Sequence, residues 1–394
     1  MKELSEKSNL FLKVGILGGG QLGLMISQAS ISYGLGLYIL DPDPQASARS
    51  FCSEFSQGSF SEEETVYHFG KNLDIITIEI EHVNIQALYR LEKIGVKVYP
   101  QPHIIELIQD KGLQKQFLLD QGFPTAPYYN LDSTKSLMEH APYFPAMLKS
   151  RKGGYDGKGV KAIRSLRDAE WIIEGNFPDG PSILEQWADM EMEISVLVAR
   201  NSRGEVEVYD PVQMEFNPEA NLVEYLFSPA HISIDIASKA QSLARNIIEK
   251  LGMVGLLAVE MFVLKNGEIW VNEMAPRPHN SGHHTIEACY TSQFDQLIRA
   301  ILDLPLGDTG IRSPSVMVNV LGEPGYSGSV DFIGLDGVLQ KKGVYLHLYG
   351  KRETRPMRKM GHITILDKDW EKAYRLAKEV KNLFKIISTK KQAK

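Results

Sequence analysis

Cysteine is nearly absent from this 394-residue chain: Cys52 and Cys289 stand far apart and outside any metal-ligand spacing. That excludes a disulfide framework and a thiolate zinc cluster, and it fits a reducing compartment. Long apolar runs are missing too. The stretch after Lys13 is short and breaks at Gly18, Gly19 and Gly20, which suits neither a signal peptide nor a membrane span. With a formal net charge of −6, the chain has no global basic field for nucleic acid. The expectation is a cytoplasmic protein that engages neither membrane nor nucleic acid. No internal repeat and no low-complexity tract is visible. What is present is a hydrophobic content of 43%, enough for two or three packed domains. The charge is unevenly spread, because residues 350–394 carry 14 Lys/Arg against 5 Asp/Glu. Such a basic segment either meets a phosphate or forms a solvated helix face.

Residues 13–17 read as a buried strand, followed by a glycine turn and a helix over 22–33; further strands at 37–40, 75–80 and 97–100 predict βαβ units on a parallel sheet. A helix is expected over 104–121, ended by the Gly122-Phe-Pro-Thr-Ala-Pro127 stretch. Beyond residue 146 the pattern changes to short strands of an antiparallel kind at 182–185, 193–199 and 205–209. A helix over 238–251 precedes a hairpin, 255–264 with 268–273, that turns at Lys265-Asn266-Gly267, and 292–302 reads as another helix. After Pro305, strands at 316–321 and 344–349 and a closing helix over 368–387 complete the chain.

Gly18-Gly19-Gly20-Gln21-Leu22-Gly23 follows a strand, precedes a helix and has Asp41 eighteen residues beyond, the form of a dinucleotide fingerprint. Alone it does not choose between a nicotinamide cofactor, another phosphorylated ligand and plain packing. A second loop, from Lys149 through Gly153, Gly154, Tyr155, Asp156, Gly157 and Lys158 to Gly159, is more specific. Its glycine amides can wrap nucleotide phosphates while Lys149 and Lys158 balance their charge, and its spacing is not that of a Walker loop. Glu185, Gln186, Trp187 and Ala188 end a strand, with Glu193 on the next, an arrangement suited to adenine and ribose.

Glu260 and Glu273 lie on adjacent strands, each inside an apolar run, with Asn272 beside them. A carboxylate in a buried strand is costly unless a cation meets it. Either magnesium bridging triphosphate oxygens or Lys and Arg neighbours would satisfy the pair. The following loop, Ala275 to His284, holds Arg277 and His279 between prolines, a candidate anion clamp and a candidate proton carrier. His283 and His284 are read as packing or capping residues. The irregular stretch 348–362 brings Lys351, Arg358 and Lys359 near one another, as a monophosphate site requires.

Taken together, GILGGGQLG (15–23), PTAP (124–127), GGYDGKG (153–159), EQW (185–187), VNEMAPRPHNSGH (271–283), TSQF (291–294) and RKMGH (358–362) resemble the ATP-grasp carboxylases of purine biosynthesis, the 5-(carboxyamino)imidazole ribonucleotide synthases. The resemblance spans nearly the whole chain. It implies an α/β and α+β chain with an N-terminal Rossmann-like parallel-sheet domain (1–105), an ATP-grasp domain (106–305, with its glycine-rich loop subdomain near 120–190) and a small β-rich C-terminal domain (306–394). It implies ATP and magnesium as cofactors, with bicarbonate and 5-aminoimidazole ribonucleotide as substrates joined through carboxyphosphate, and a homodimer.

Carried over by position, Lys111, Lys149, residues 154–159, Glu185 to Ala188, Glu193, Asn272 and Glu273 would hold ATP, and Glu260 and Glu273 magnesium. Gln21, Leu22, Glu79 and Asn280 would meet the ribonucleotide, with Lys351 and Arg358 on its phosphate. Tyr155, Asp156, Arg277 and His279 would surround the reacting carboxyl group and amine. Two departures stand out: Arg355-Pro356-Met357 precedes Arg358 where the family has a Pro-Gly turn, and residues 213–221 lack a histidine that the family carries near the nucleotide. The competing readings are a sister ATP-grasp enzyme acting on formate and glycinamide ribonucleotide, a nicotinamide dehydrogenase built on the first glycine motif, and a nucleotide-binding protein without turnover.

Overall fold

The computed structural model describes residues 12–154, 159–217 and 222–388. Near the N-terminus β1 (Val14–Leu17), β2 (Leu37–Asp41), β3 (Glu54–Gln57), β4 (Ile75–Ile78) and β5 (Lys97–Val98) form the expected parallel sheet, in the order β3-β2-β1-β4-β5. Its central strands β1, β2 and β4 are mostly apolar and buried because both faces are covered, whereas the edge strand β3 is polar and partly exposed. Ile16 packs with Met25 and Leu297 on one side, whereas Leu17 and Ile78 pack with Leu88 and Leu91 on the other. Strand order reverses between β1 and β4, and ligands of such sheets bind beyond the carboxyl ends of the strands at that reversal. The glycine turn and Glu79 lie there.

The single helix expected over 104–121 is two helices, Pro102–Gln109 and Lys111–Asp120, split at Asp110. Asp110 is extended (φ −115°, ψ 108°), and its carboxylate accepts from the Gly112 and Leu113 amides and pairs with Arg151. Apolar periodicity runs through the break and hides it, since the cap is a single polar residue. The consequence is that Lys111 opens a new helix and points across to Glu273.

A small antiparallel sheet follows, β6 (Tyr128–Leu131), β7 (Ala146–Ser150), β8 (Val160–Ile163) and β9 (Ser182–Gln186), in the order β6-β9-β7-β8. The large sheet comprises β10 (Met190–Arg200), β11 (Val206–Val208), β12 (Val212–Asn217), β13 (Leu222–Ser228), β14 (Gly255–Leu264), β15 (Ile269–Ala275), β16 (Ser315–Leu321), β18 (Val344–Leu348) and β20 (Lys359–Leu366). It runs β15-β14-β10-β12-β13-β16-β20-β18, with β11 on the side of β10. Pairing of Tyr225 with Val318 carries it straight across the boundary expected at 305/306. The strand-rich C-terminal segment therefore extends the same sheet.

The last helix, Trp370–Leu383, stops short of the expected 387. Lys385–Ser388 is instead a strand, β21, that with β19 (Glu353–Thr354) flanks β17 (Gly328–Ile333). Ile386 is buried and pairs with Phe332, and this pairing overrides the helical spacing of the preceding residues. Among the described residues no helix is long and apolar enough to cross a membrane, and both cysteines are free.

Candidate active site

At the N-terminal turn the glycines serve a carboxylate. The Gly20 and Gly23 amides each donate to Glu79 at 2.7 Å, and the Gly19 amide donates to Asp41 at 2.7 Å. A Cβ on Gly18, whose φ is +101°, would lie 2.5 Å from Glu79 Cγ. Burial pushes the Glu79 carboxyl up, against the two amides. A dinucleotide pyrophosphate would have to enter the position this side chain fills, and Asp41, bonded also to the Asp43 amide, is committed to the turn. The dehydrogenase reading loses its site.

Beside this turn Gln21 accepts from Lys351 Nζ at 3.0 Å, joining residues from opposite ends of the chain. Lys351 also donates to the Lys359 carbonyl, and Arg358 to the Glu353 carbonyl. Leu22 is buried in the core, so only its backbone faces the turn. Asn280 exchanges two amide hydrogen bonds with Asn319 (2.8 and 2.9 Å), which fastens the loop after β15 to β16.

Strands β14 and β15 pair Glu260 directly with Glu273, next to a bulge. Of the two expected kinds of partner the structure shows the protein cations: Glu273 forms an ion pair with Lys111 and Glu260 lies 3.3 Å from His279 Nε2. Lys111 holds the Glu273 carboxyl down at about 2. Burial pushes Glu260 well above the usual carboxylate range, with Glu273 and Glu193 adding to the rise. Glu193, beneath them, is raised to about 7 by burial and by Glu273. Its carboxylate accepts from Asn272, whose own oxygen accepts from Lys149 at 2.8 Å. Three carboxylates thus crowd one cleft with uneven protonation, a state that a divalent cation would relieve. Among the described residues no three acidic, His or Cys side chains form a metal cage by themselves, so such an ion would take its other ligands from phosphate oxygens and water.

Replacing Glu193 by Gln tests this crowding. A carboxyl raised in the folded protein penalises folding as pH rises from its unfolded value to its folded one, here about 7. Glu193→Gln should therefore raise the melting temperature of the ligand-free protein at pH 8 and do so much less at pH 5. Equal gains at both values would contradict the assignment.

Arg277 donates to the Pro278 carbonyl and forms an ion pair with Glu81 at 2.6 Å, reaching the N-terminal sheet from the loop after β15. His279 Nδ1 lies 2.9 Å from the Ser281 hydroxyl and accepts from the Ser281 amide, so its Nε2 carries the hydrogen directed at Glu260. His283 and His284 are buried, and burial lowers the pKa of both; they pack, as expected.

On the small sheet Lys149 and Glu185 pair at 2.7 Å. Gln186 ends β9 and Trp187 follows it, the two lining an aromatic depression of about 490 Å³ with Pro127, Tyr129 and Tyr143. Ala188 follows at the surface edge. Gly159 has φ +70°, and its carbonyl accepts from the Ser150 amide, closing the glycine loop at its far end; Gly154 is described at its near end, while Tyr155, Asp156, Gly157 and Lys158 lie outside the described residues. Sequence reasoning missed Lys115, Glu81, Ser281 and Asn319. Of these only Glu81 carried a signal, its alternation with Glu79 after an apolar strand.

A parallel-sheet entry domain, a small antiparallel sheet over a large one, and lysines meeting paired carboxylates between them define an ATP-grasp protein, and the ATP-grasp domain family matches residues 116–294. The ribonucleotide synthetase preATP-grasp domain matches 11–109 and the phosphoribosylaminoimidazole carboxylase C-terminal domain 315–375. The chain belongs to the N5-carboxyaminoimidazole ribonucleotide synthase family. The synthetase of that name from Thermotoga maritima superposes with a TM-score of 0.87 at 42% identity, over 96% of this chain and 100% of the other. An Aspergillus clavatus synthase in complex with ADP and 5-aminoimidazole ribonucleotide gives 0.86 at 33% identity, over 95% and 99%. Phosphoribosylaminoimidazole carboxylase of Ogataea methanolica is 40% identical over 90% of this chain, which spans 66% of that longer protein.

Proposed function

We propose that this chain uses ATP to carboxylate the amine of 5-aminoimidazole ribonucleotide, giving the N5-carboxyamino product, ADP and phosphate. The observation that carries it is the convergence of Lys111, Glu260, Glu273 and His279 on one cleft, with Arg277 reaching from there toward the end of the parallel sheet where Gln21 and Lys351 meet. A bicarbonate oxygen attacks the γ-phosphorus and ADP leaves; the amine nitrogen then bonds to the carboxyl carbon as the carbon–oxygen bond to phosphate breaks. Lys111 and Lys149 offset the triphosphate charge, and Arg277, held on Glu81, faces the developing carboxyl anion. His279, its tautomer fixed by Ser281, relays the amine proton: Nε2 passes its hydrogen to Glu260 and then takes up the amine proton in its place. Glu260 and Glu273 suit magnesium, which when bound would neutralise charge on the transferring phosphoryl group.

Phosphate release from ATP should require bicarbonate and rise on adding 5-aminoimidazole ribonucleotide. Stimulation only by formate with glycinamide ribonucleotide would overturn the substrate assignment. Lys351→Ala should raise the ribonucleotide KM about tenfold with kcat nearly unchanged. An unchanged KM would remove Lys351 from that site. A homodimer in a cytoplasmic setting completes the proposal.

A further inference from the structure

Lys115 is almost fully buried, with a side-chain exposure of 3%, on the helix that Lys111 opens. A lone lysine in such a place is expensive, and a well-packed apolar residue would ordinarily serve stability as well or better. Its Nζ finds three acceptors: the Thr125 hydroxyl at 2.7 Å, Glu185 Oε1 at 3.1 Å and, more distantly, the Val271 carbonyl at 3.4 Å. Thr125 in turn donates to that same carbonyl at 2.7 Å. Burial lowers Lys115 to about 8, with Glu185 opposing the fall, so the ammonium persists at neutral pH.

Glu185 divides its carboxylate between two lysines. Oε1 lies 3.1 Å from Lys115 as an ion-pair contact and takes no hydrogen bond among the described residues, while Oε2 faces Lys149 at 2.7 Å. Two ammonium groups share this one carboxylate, so Glu185 alone does not neutralise Lys149, whose charge also bears on Glu193 and Glu273. Because Lys115 is walled in by Thr125 and β15, that incomplete neutralisation is expressed at Lys149, which also donates to Asn272 beside the carboxylate pair. Without Lys115, the full carboxylate charge would fall on Lys149 and draw it away from the cleft.

We propose that Lys115 is a positioning residue for the nucleotide: by sharing Glu185 it keeps Lys149 extended and incompletely neutralised, ready for the triphosphate. This rests on the ATP reading given above. Thr125 supports the arrangement by seating Lys115, and through the Val271 carbonyl it ties the group to the strand that bears Asn272 and Glu273.

The test uses full-length wild type, Lys115→Met, Thr125→Val and the double variant Lys115→Met/Glu185→Gln, with KM measured separately for ATP and for 5-aminoimidazole ribonucleotide. Wild type answers the ATP reading first, since absence of ATP-dependent turnover there would defeat that reading whatever the variants do. Lys115→Met should raise the ATP KM about tenfold and leave the ribonucleotide KM within about twofold. Removing the Glu185 charge as well should bring the ATP KM back toward wild type, a recovery that a purely structural loss would not show. Thr125→Val, which keeps shape, should raise the ATP KM about threefold and gives the answer should Lys115→Met not fold. Equal loss for both substrates, a double variant worse than Lys115→Met, or an unchanged ATP KM in Thr125→Val would overturn the proposal.

Discussion

Replacing Glu273 by Gln should lower ATP-dependent turnover by about 10³-fold while the protein stays folded. The side chain lies opposite Glu260 across the β14–β15 pair and carries the anionic end of the ion pair with Lys111. It is also the one of the three crowded carboxylates held firmly ionised, at about 2, by that lysine. Glutamine keeps its size and removes the charge that pairs with Lys111 and that the proposed divalent cation would need. With 40% of its side chain exposed at the mouth of the cleft, the loss should cost little folding stability. Steady-state phosphate release and a melting curve decide the matter together: near-normal turnover would take Glu273 out of the phosphate site, and a collapsed melting temperature would make its role structural.

Arg277→Ala should lower kcat by about 10²-fold with a smaller change in the ATP KM. The guanidinium uses one nitrogen on Glu81 and another on the Pro278 carbonyl, so it is held in orientation before any substrate arrives. An arginine fixed in this way stabilises charge that develops during reaction more than charge already present on the bound nucleotide. Arg277→Lys should recover little, because an ammonium cannot reproduce the fork between those two acceptors. Full recovery by lysine would show that charge alone matters there.

Much of the fold was legible because the signals were local. A strand, a glycine turn and a helix follow one another at 14–31 as the spacing predicts, and the hairpin around Lys265-Asn266-Gly267 forms where expected. Glu260 and Glu273 stood out since charge inside an apolar strand has few physical explanations. The purpose of the first glycine turn was not legible. GxGxxG is written the same way whether the amides meet a phosphate or a carboxylate, and the carboxylate comes from Glu79, far along the chain. Lys115 was hidden for a related reason: nothing in Gln114-Lys115-Gln116 marks which helical face is buried until Thr125 and Glu185 close over it. Asp110 breaks a helix by tertiary pairing with Arg151, and Asn280 meets Asn319 across 39 residues. Such partners are set by topology, which local spacing does not encode.

The proposed chemistry requires a divalent ion seated between Glu260 and Glu273 against a nucleotide's phosphate tail. Crystals grown with manganese and a non-hydrolysable ATP analogue would locate that ion by anomalous scattering. The expected result is a manganese peak bonded to both carboxylates, with Lys111 turned from Glu273 toward phosphate oxygen. A nucleotide bound with its metal away from both side chains, and Lys111 still paired with Glu273, would contradict it.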